Sequence, residues 1–245
     1  VQYPFFLAGG LTFLNLLYGI LILPESHPVE KRVNVNLKKA NPLGAFHLLK
    51  KSPIVAGLSI SFFLLYLAGH SVQTTWTFYG MLKFNWGTDT VGYSLAFVGI
   101  IVAIVQGFFV KHTIKWFGER LTILIGYISW MIGLVAFAFA YESWLLFVAI
   151  IPYCFGGIAT PTLQGTVSNQ FEDTQQGALQ GALTSLISLT AIFGPILMTS
   201  IFYFFTNEST WFYFPGAPFL LGALFILISL FVSLNCFKRK DKAVR

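Results

Sequence analysis

The sequence predicts an all-α membrane protein with seven transmembrane helices, and three observations lead there. Of its 245 residues, 56% are apolar, 18% aromatic and 10% charged, whereas an average soluble domain carries about 25% charged residues. The apolar residues gather into seven runs, each long enough to supply the ~20 residues with which a helix crosses a bilayer. Every Lys and Arg except Lys83 falls in alternate gaps between those runs, at 31–51, 111–120 and beyond 237. Basic residues beside span ends are retained on the cytoplasmic face, so the pattern places Val1 outside and Arg245 inside. A net charge of +6 would otherwise suggest a nucleic-acid partner. Here the cations border apolar spans, where they set topology and meet lipid headgroups, so no nucleic-acid partner is expected and the lipid bilayer is.

Taken in order, the first span covers 3–23. The gap at 24–52 is the longest and holds Lys31, Arg32, Lys38, Lys39, Lys50 and Lys51. Within it Asn41-Pro42 has the chemistry of a helix start. Leu43, Phe46 and Leu49 follow at a spacing of three, predicting a short interfacial helix. The second span, 54–79, carries His70 and Gln73 on one helical face. An ionisable group at membrane depth is a functional signal because its burial is costly. His70 is the one titratable side chain predicted at depth, and two readings stand: a proton site, or a neutral imidazole bonded to a neighbouring helix. The third span, 90–110, contains Gln106.

A short basic gap, 111–120, follows and includes Gly118, Glu119 and Arg120. Glycine permits a tight turn there, and Glu119 is placed to meet Arg120 or a neighbouring loop. The fourth span is 121–141. The fifth, 144–166, holds Gly156, Gly157 and Pro161, which predict close approach and a break in the helix, together with Gln164. The sixth, 178–205, begins with Gln180 and has Gly194-Pro195 at mid-depth, a second bending point. The seventh is 217–237, and a basic tail, 238–245, ends the chain. An amide in hydrocarbon must find a partner. Gln73, Gln106, Gln164 and Gln180 therefore either line a polar path or join helices together.

Trp76, Tyr79, Trp86, Tyr141, Trp144, Trp211 and Tyr213 collect near the outer span ends, as an interfacial aromatic belt would. Cys154 and Cys236 lie inside apolar runs with no CxxC spacing, so they read as small buried hydrophobes and imply no metal. Phosphate-loop, nucleophile-elbow and zinc-peptidase motifs do not occur, and an enzyme is not expected.

Six short strings add a resemblance. They are Leu23-Pro24-Glu25-Ser26-His27, Asn41-Pro42-Leu43, Phe84-Asn85-Trp86, Gly118-Glu119-Arg120, Gly156-Gly157-Ile158 through Pro161-Thr162-Leu163-Gln164-Gly165, and Gln176-Gly177-Ala178-Leu179-Gln180-Gly181. In order and spacing the chain resembles the second half of the tetracycline-efflux transporters, in the drug:proton antiporter branch of the major facilitator superfamily. That family has twelve spans in two halves with the substrate path between them.

The resemblance implies that 1–24 is the last helix of an N-terminal half and 25–52 the central cytoplasmic loop. Residues 53–237 would form the six-helix C-terminal half, with 238–245 a cytoplasmic tail. It implies a small-molecule drug as substrate and protons as the exchanged partner. The proton gradient would be the energy source, with no cofactor, in a bacterial inner membrane. Gln106 and Gln164 match polar positions of the family's eighth and tenth helices. The acidic residue common in the ninth helix is matched by Trp130, and a histidine found in some eighth helices by Val102. Gly118, Glu119 and Arg120 resemble a second copy of the family's gating loop. A chain opening on Val1 is expected to be part of a longer protein, with its N-terminal half and the coupling acids elsewhere. The alternative is a truncated, non-transporting remnant or a membrane scaffold.

Overall fold

The computed structural model describes residues 3–24, 49, 52–207 and 210–243. The chain divides into two compact units, Val1–Ala40 and Asn41–Arg245. The first contains α1, Tyr3–Leu21. The second contains α2 (Pro53–Phe84), α3 (Thr88–Ile104), α4 (Val110–Phe139), α5 (Ser143–Phe155), α6 (Ala159–Ser168), α7 (Gln176–Thr206) and α8 (Ala217–Ala243). A wide π-turn, Val105–Phe109, joins α3 to α4, and tight 3-10 turns occupy Gly156–Ile158 and Asp173–Gln175. No strand occurs among the described residues. The expected interfacial helix at 41–51 lies outside the described residues except for Leu49, which is buried.

Among the described residues five stretches are long and apolar enough to cross a membrane: Pro53–Phe84, Thr88–Phe139, Ser143–Ser168, Asp173–Thr206 and Ala217–Arg239; Phe5–Leu21 is a shorter apolar helix. The second stretch has 52 residues. Held straight it would run about 78 Å, far more than a hydrocarbon core of about 30 Å. It is broken at Gly118, whose φ of 73° and ψ of 169° belong to a region open only to glycine. One break turns the long helix into two crossings. With α1 the spans read from the sequence are all accounted for. The basic tail differs from expectation in one respect, since the helical backbone of α8 continues to Ala243.

Each boundary has a local cause. Ser52 caps α2 by accepting the Val55 amide at 3.2 Å, with Pro53 in the first turn. Asn85 ends α2 in a left-handed conformation, φ 52° and ψ 39°, which asparagine tolerates better than most residues. Chain reversal there brings Trp86 back over Gly80, and its indole donates to Ser143 Oγ at 2.6 Å.

The centre of the second unit is α2, packed against α8, α7 and α6. Lipid tails give helices no hydrophobic reason to associate, so close packing and interhelical hydrogen bonds carry the contact. Between α2 and α8 the contact is a reciprocal hydroxyl clasp. Ser61 Oγ donates to the Ser229 carbonyl at 3.1 Å, Ser229 Oγ donates to the Ser61 carbonyl at 3.2 Å, and Ser233 Oγ donates to Ser61 Oγ at 2.9 Å. Tyr127 of α4 joins at 3.3 Å from Ser233 Oγ.

The aromatic belt needs correction. Tyr141, Trp144, Trp211 and Tyr213 are exposed, but Trp76, Tyr79 and Trp86 are buried. The inner three form a cluster with Phe137, Phe147 and Phe219. Each polar tip reaches another element: Trp76 Nε1 donates to Ser94 Oγ at 2.9 Å, and the Tyr79 hydroxyl donates to the Phe137 carbonyl. A buried indole or phenol needs such a partner, and these three residues find it in the protein rather than among headgroups. Replacing Trp86 with Ala should therefore destabilise the complete protein by about 3 kcal/mol. Replacing exposed Trp211 should cost less than about 0.5 kcal/mol. Thermal unfolding of the two purified variants in detergent measures the difference, and equal melting temperatures would return Trp86 to the belt.

Candidate functional site

Helical spacing brings polar residues of the second unit to one place. On α2, Tyr66, His70 and Gln73 recur at steps of four and three, and so share a face. Val102 and Gln106 lie four apart across the end of α3 and the π-turn, and Ile187 and Ala191 four apart on α7. With Leu65, Gly69, Trp130, Tyr153, Cys154, Gly157 and Thr160 they enclose a cavity of about 450 Å³. Its volume lies within the range of sites that hold drug-sized ligands, roughly 300–1,000 Å³.

The backbone departs from regular helix where it meets this cavity. Gln106 sits in the π-turn, a feature frequent at functional sites. Gly157 sits in the 3-10 turn. Pro161 offers no amide to the Gly157 carbonyl four residues before it, and this omission accompanies the local tightening. Pro195 stands in the same relation to Ala191. Irregular backbone at membrane depth is tolerated where it is enclosed by protein or borders a polar cavity.

Close approach shapes two walls. A Cβ on Gly156 would overlap Trp130, and one on Gly194 would overlap the His70 ring. The Trp130 ring meets Tyr153 edge-on, with centroids 6.0 Å apart. By contrast, a Cβ on Gly157 would have no atom within 4 Å.

The sequence-derived residues divide. His70, Gln73 and Gln106 line the cavity, as do Val102 and Trp130. Gln164 and Gln180 lie outside its lining and bond to each other, Gln164 Nε2 donating to Gln180 Oε1 at 2.9 Å. They connect α6 to α7. Tyr66, Tyr153 and Thr160 were not anticipated in the site. The step of four from Tyr66 to His70 was a usable signal; the placement of Tyr153 and Thr160 was not, since it depends on the 3-10 turn. Cys154, expected only as a packed thiol, is buried and also borders the cavity.

Gly118, Glu119 and Arg120 form a separate cluster. The Glu119 carboxylate accepts from Thr166 Oγ1 at 2.9 Å and from Asn169 Nδ2 at 3.1 Å. The partner foreseen as a neighbouring loop is thus the end of α6 and the residue after it. Arg120 places its guanidinium 5.7 Å from the centre of the Phe237 ring on α8, a cation–π distance. The turn at Gly118 redirects α4 so that the two residues after it, Glu119 and Arg120, reach the ends of two other helices. Glu119→Ala should loosen this tie and speed amide exchange across 166–171 by roughly tenfold, the equivalent of about 1.4 kcal/mol. Hydrogen–deuterium exchange of the complete protein reads it, and unchanged protection would show the bonds to be dispensable.

The family model described as Major Facilitator Superfamily matches residues 84–243. The chain is 37% identical over 227 residues to the class C tetracycline resistance protein of Escherichia coli, covering 93% of this chain and 56% of that protein. It is 34% identical over 234 residues to the class E protein of Escherichia coli, covering 95% of this chain and 56% of that protein. The chain thus spans little more than half the length of these curated relatives. Among solved structures, the human organic anion transporter MFSD10 (TETRAN) has the same fold over 89% of this chain and 54% of its own, with a TM-score of 0.73 and 20% identity.

Proposed function

The chain belongs to the major facilitator superfamily, and we propose that it forms the C-terminal wall of an efflux transporter that exchanges an amphipathic drug for protons. The carrying observation is the cavity. Polar residues from separate helices, Gln73, Gln106 and His70, meet there beside the 3-10 turn between α5 and α6 and close to the proline inside α7. A packed structural core would have no reason to gather unpaired amides around open space. The names of the similar Escherichia coli proteins, tetracycline resistance proteins, support drug export as the direction of use.

On this reading 1–24 is the last helix of an N-terminal half, 25–52 the central loop, 53–237 the six-helix C-terminal half and 238–245 its tail. The transporter sits in a bacterial inner membrane with Arg245 in the cytoplasm. The two halves rock about the path between them, opening it alternately to each side. Gln73 and Gln106 bond the solute. Gly156, Gly157 and Pro161, with Gly194 and Pro195, provide the places where the wall bends. Gly118, Glu119 and Arg120 tie the cytoplasmic helix ends in one state of the cycle. Gln164 and Gln180 join α6 to α7, and their pair stands at the edge of the path. No enzymatic chemistry and no cofactor enters; the proton gradient supplies the driving force.

Removing one hydrogen bond to an uncharged ligand costs about 1–1.5 kcal/mol, close to a factor of ten. Gln106→Ala in the complete protein should therefore lower drug accumulation by everted membrane vesicles about tenfold, and a protonophore should abolish it. Replacing exposed Tyr141, remote from the cavity, should leave accumulation unchanged. Full accumulation by the Gln106 variant at equal expression would take this cavity out of the transport path.

A further inference from the structure

We propose that a second cavity, between the C-terminal ends of α4 and α7 and the first turns of α8, holds one acyl chain of a bilayer phospholipid. The proposal stands apart from the transport reading and from the polar cavity.

The second cavity measures about 510 Å³, and its described lining is Phe, Leu, Ile and Ala throughout. Phe139 comes from α4, Ile201 and Phe205 from α7, Phe214 from the connection, and Leu221 and Leu224 from α8. Water settles in a cavity only where polar partners hold it, and these side chains offer none. Left empty, the walls would forfeit their dispersion contacts on one side. An apolar occupant restores them.

The surroundings indicate which occupant. Along the connection between α7 and α8 the side chains alternate. Phe212 and Phe214 line the cavity, while Trp211 and Tyr213 are exposed. Exposed Trp and Tyr at a span end mark the depth of the lipid headgroups, so a cavity just beneath them lies among acyl chains. Phe214 is fixed above it. Its amide donates to the Phe205 carbonyl at 2.9 Å, and its ring centre lies 5.7 Å from that of Phe139.

Two strips of exposed apolar side chains lead away from the cavity. On α8, Leu224, Ile228 and Phe231 recur at steps of four and three, and on α4 so do Phe139, Val135, Ile132 and Ile128. From Ala217 to Phe231 each exposed side chain of α8 is a large apolar one, and α8 supplies no described residue to the polar cavity. Contacts between membrane helices favour small or polar residues, so this face has the character of a lipid contact. At about 1.5 Å per residue, Ala217 and Phe231 stand about 21 Å apart along the axis. Half of a hydrocarbon core is about 15 Å deep. A chain seated beneath Phe214 and laid along α8 therefore reaches through one leaflet.

Photolabelling tests this. The complete protein is placed in nanodiscs of phosphatidylethanolamine and phosphatidylglycerol with a trace of phosphatidylethanolamine carrying a mid-chain diazirine, irradiated, and mapped by peptide mass spectrometry. A parallel sample receives the same diazirine as a free fatty acid. With the phospholipid, labelling of 201–205 and 217–224 should exceed that of Ile128 and Ile132, which report bulk lipid, by at least about fivefold. Leu221→Trp, which fills the cavity, should abolish the excess and leave the strip labelled. Leu224→Gln, at a half-exposed position, should lower it about as much, and serves where Leu221→Trp does not elute as a monodisperse protein. Equal labelling of cavity and strip, an excess that persists in the folded variants, or an excess from the fatty acid alone would overturn the proposal. So would a cavity silent to both probes, the result expected if another segment of the complete protein covers it.

Discussion

A peptide group in hydrocarbon has no water to bond with, and the rest of this structure follows from that constraint. Each crossing must satisfy its own backbone, so the second unit is helix from Pro53 onward with short connections. Departures from helix are then informative by position. Gly118 breaks the chain between two crossings, where water is within reach. The π-turn and the 3-10 turn lie within crossings, and each contains a residue of one cavity, while Gly194-Pro195 lies in unbroken α7 near the lining residue Ala191. Placing irregular backbone beside a polar cavity removes the penalty that hydrocarbon would impose. The cavity and the breaks therefore have a common cause.

Helix association has to be explained without a hydrophobic drive, and different contacts provide it at different depths. Serine hydroxyls clasp α2 to α8 in the middle, with Tyr127 reaching in from α4. Aromatic rings with bonded polar tips lock one end. A carboxylate and a guanidinium hold the opposite end. These devices centre on α2, α4 and α8. Along α3 the fully buried residues are Val91 and Ser94, so that helix presents most of its apolar surface outward. The same wall thus combines a firmly bonded spine with helices held mainly at their ends.

The spans were legible in the sequence because length and hydropathy are additive properties that need no tertiary information. The turn at Gly118 was legible for a similar reason, being a local need met by one residue type. Trp76, Tyr79 and Trp86 were misassigned because a tryptophan near a span end has the same sequence signature whether it faces headgroups or the bundle; only the partners Ser94, Phe137 and Ser143 decide. The glutamines show the same degeneracy. Desolvation demands a partner for every amide, and an amide across a helix contact satisfies it as well as a ligand does. Gln164 and Gln180 took the first course, while Gln73 and Gln106 border open space. The π-turn around Gln106 left no mark in the sequence, since it depends on how α3 passes its neighbours.

His70 illustrates how packing and irregular backbone act together. Its ring occupies the space that a side chain at position 194 would need, so α2 and α7 approach as closely as glycine allows. The next residue, Pro195, gives α7 no amide to hold the Ala191 carbonyl, and Ala191 borders the cavity that His70 also borders. The close contact, the weakened turn and the cavity wall therefore lie within two turns of one another. A bend of α7 at this step would change the contact with the imidazole and the width of the cavity together. An imidazole in this position is coupled to cavity shape through sterics alone, whatever its protonation.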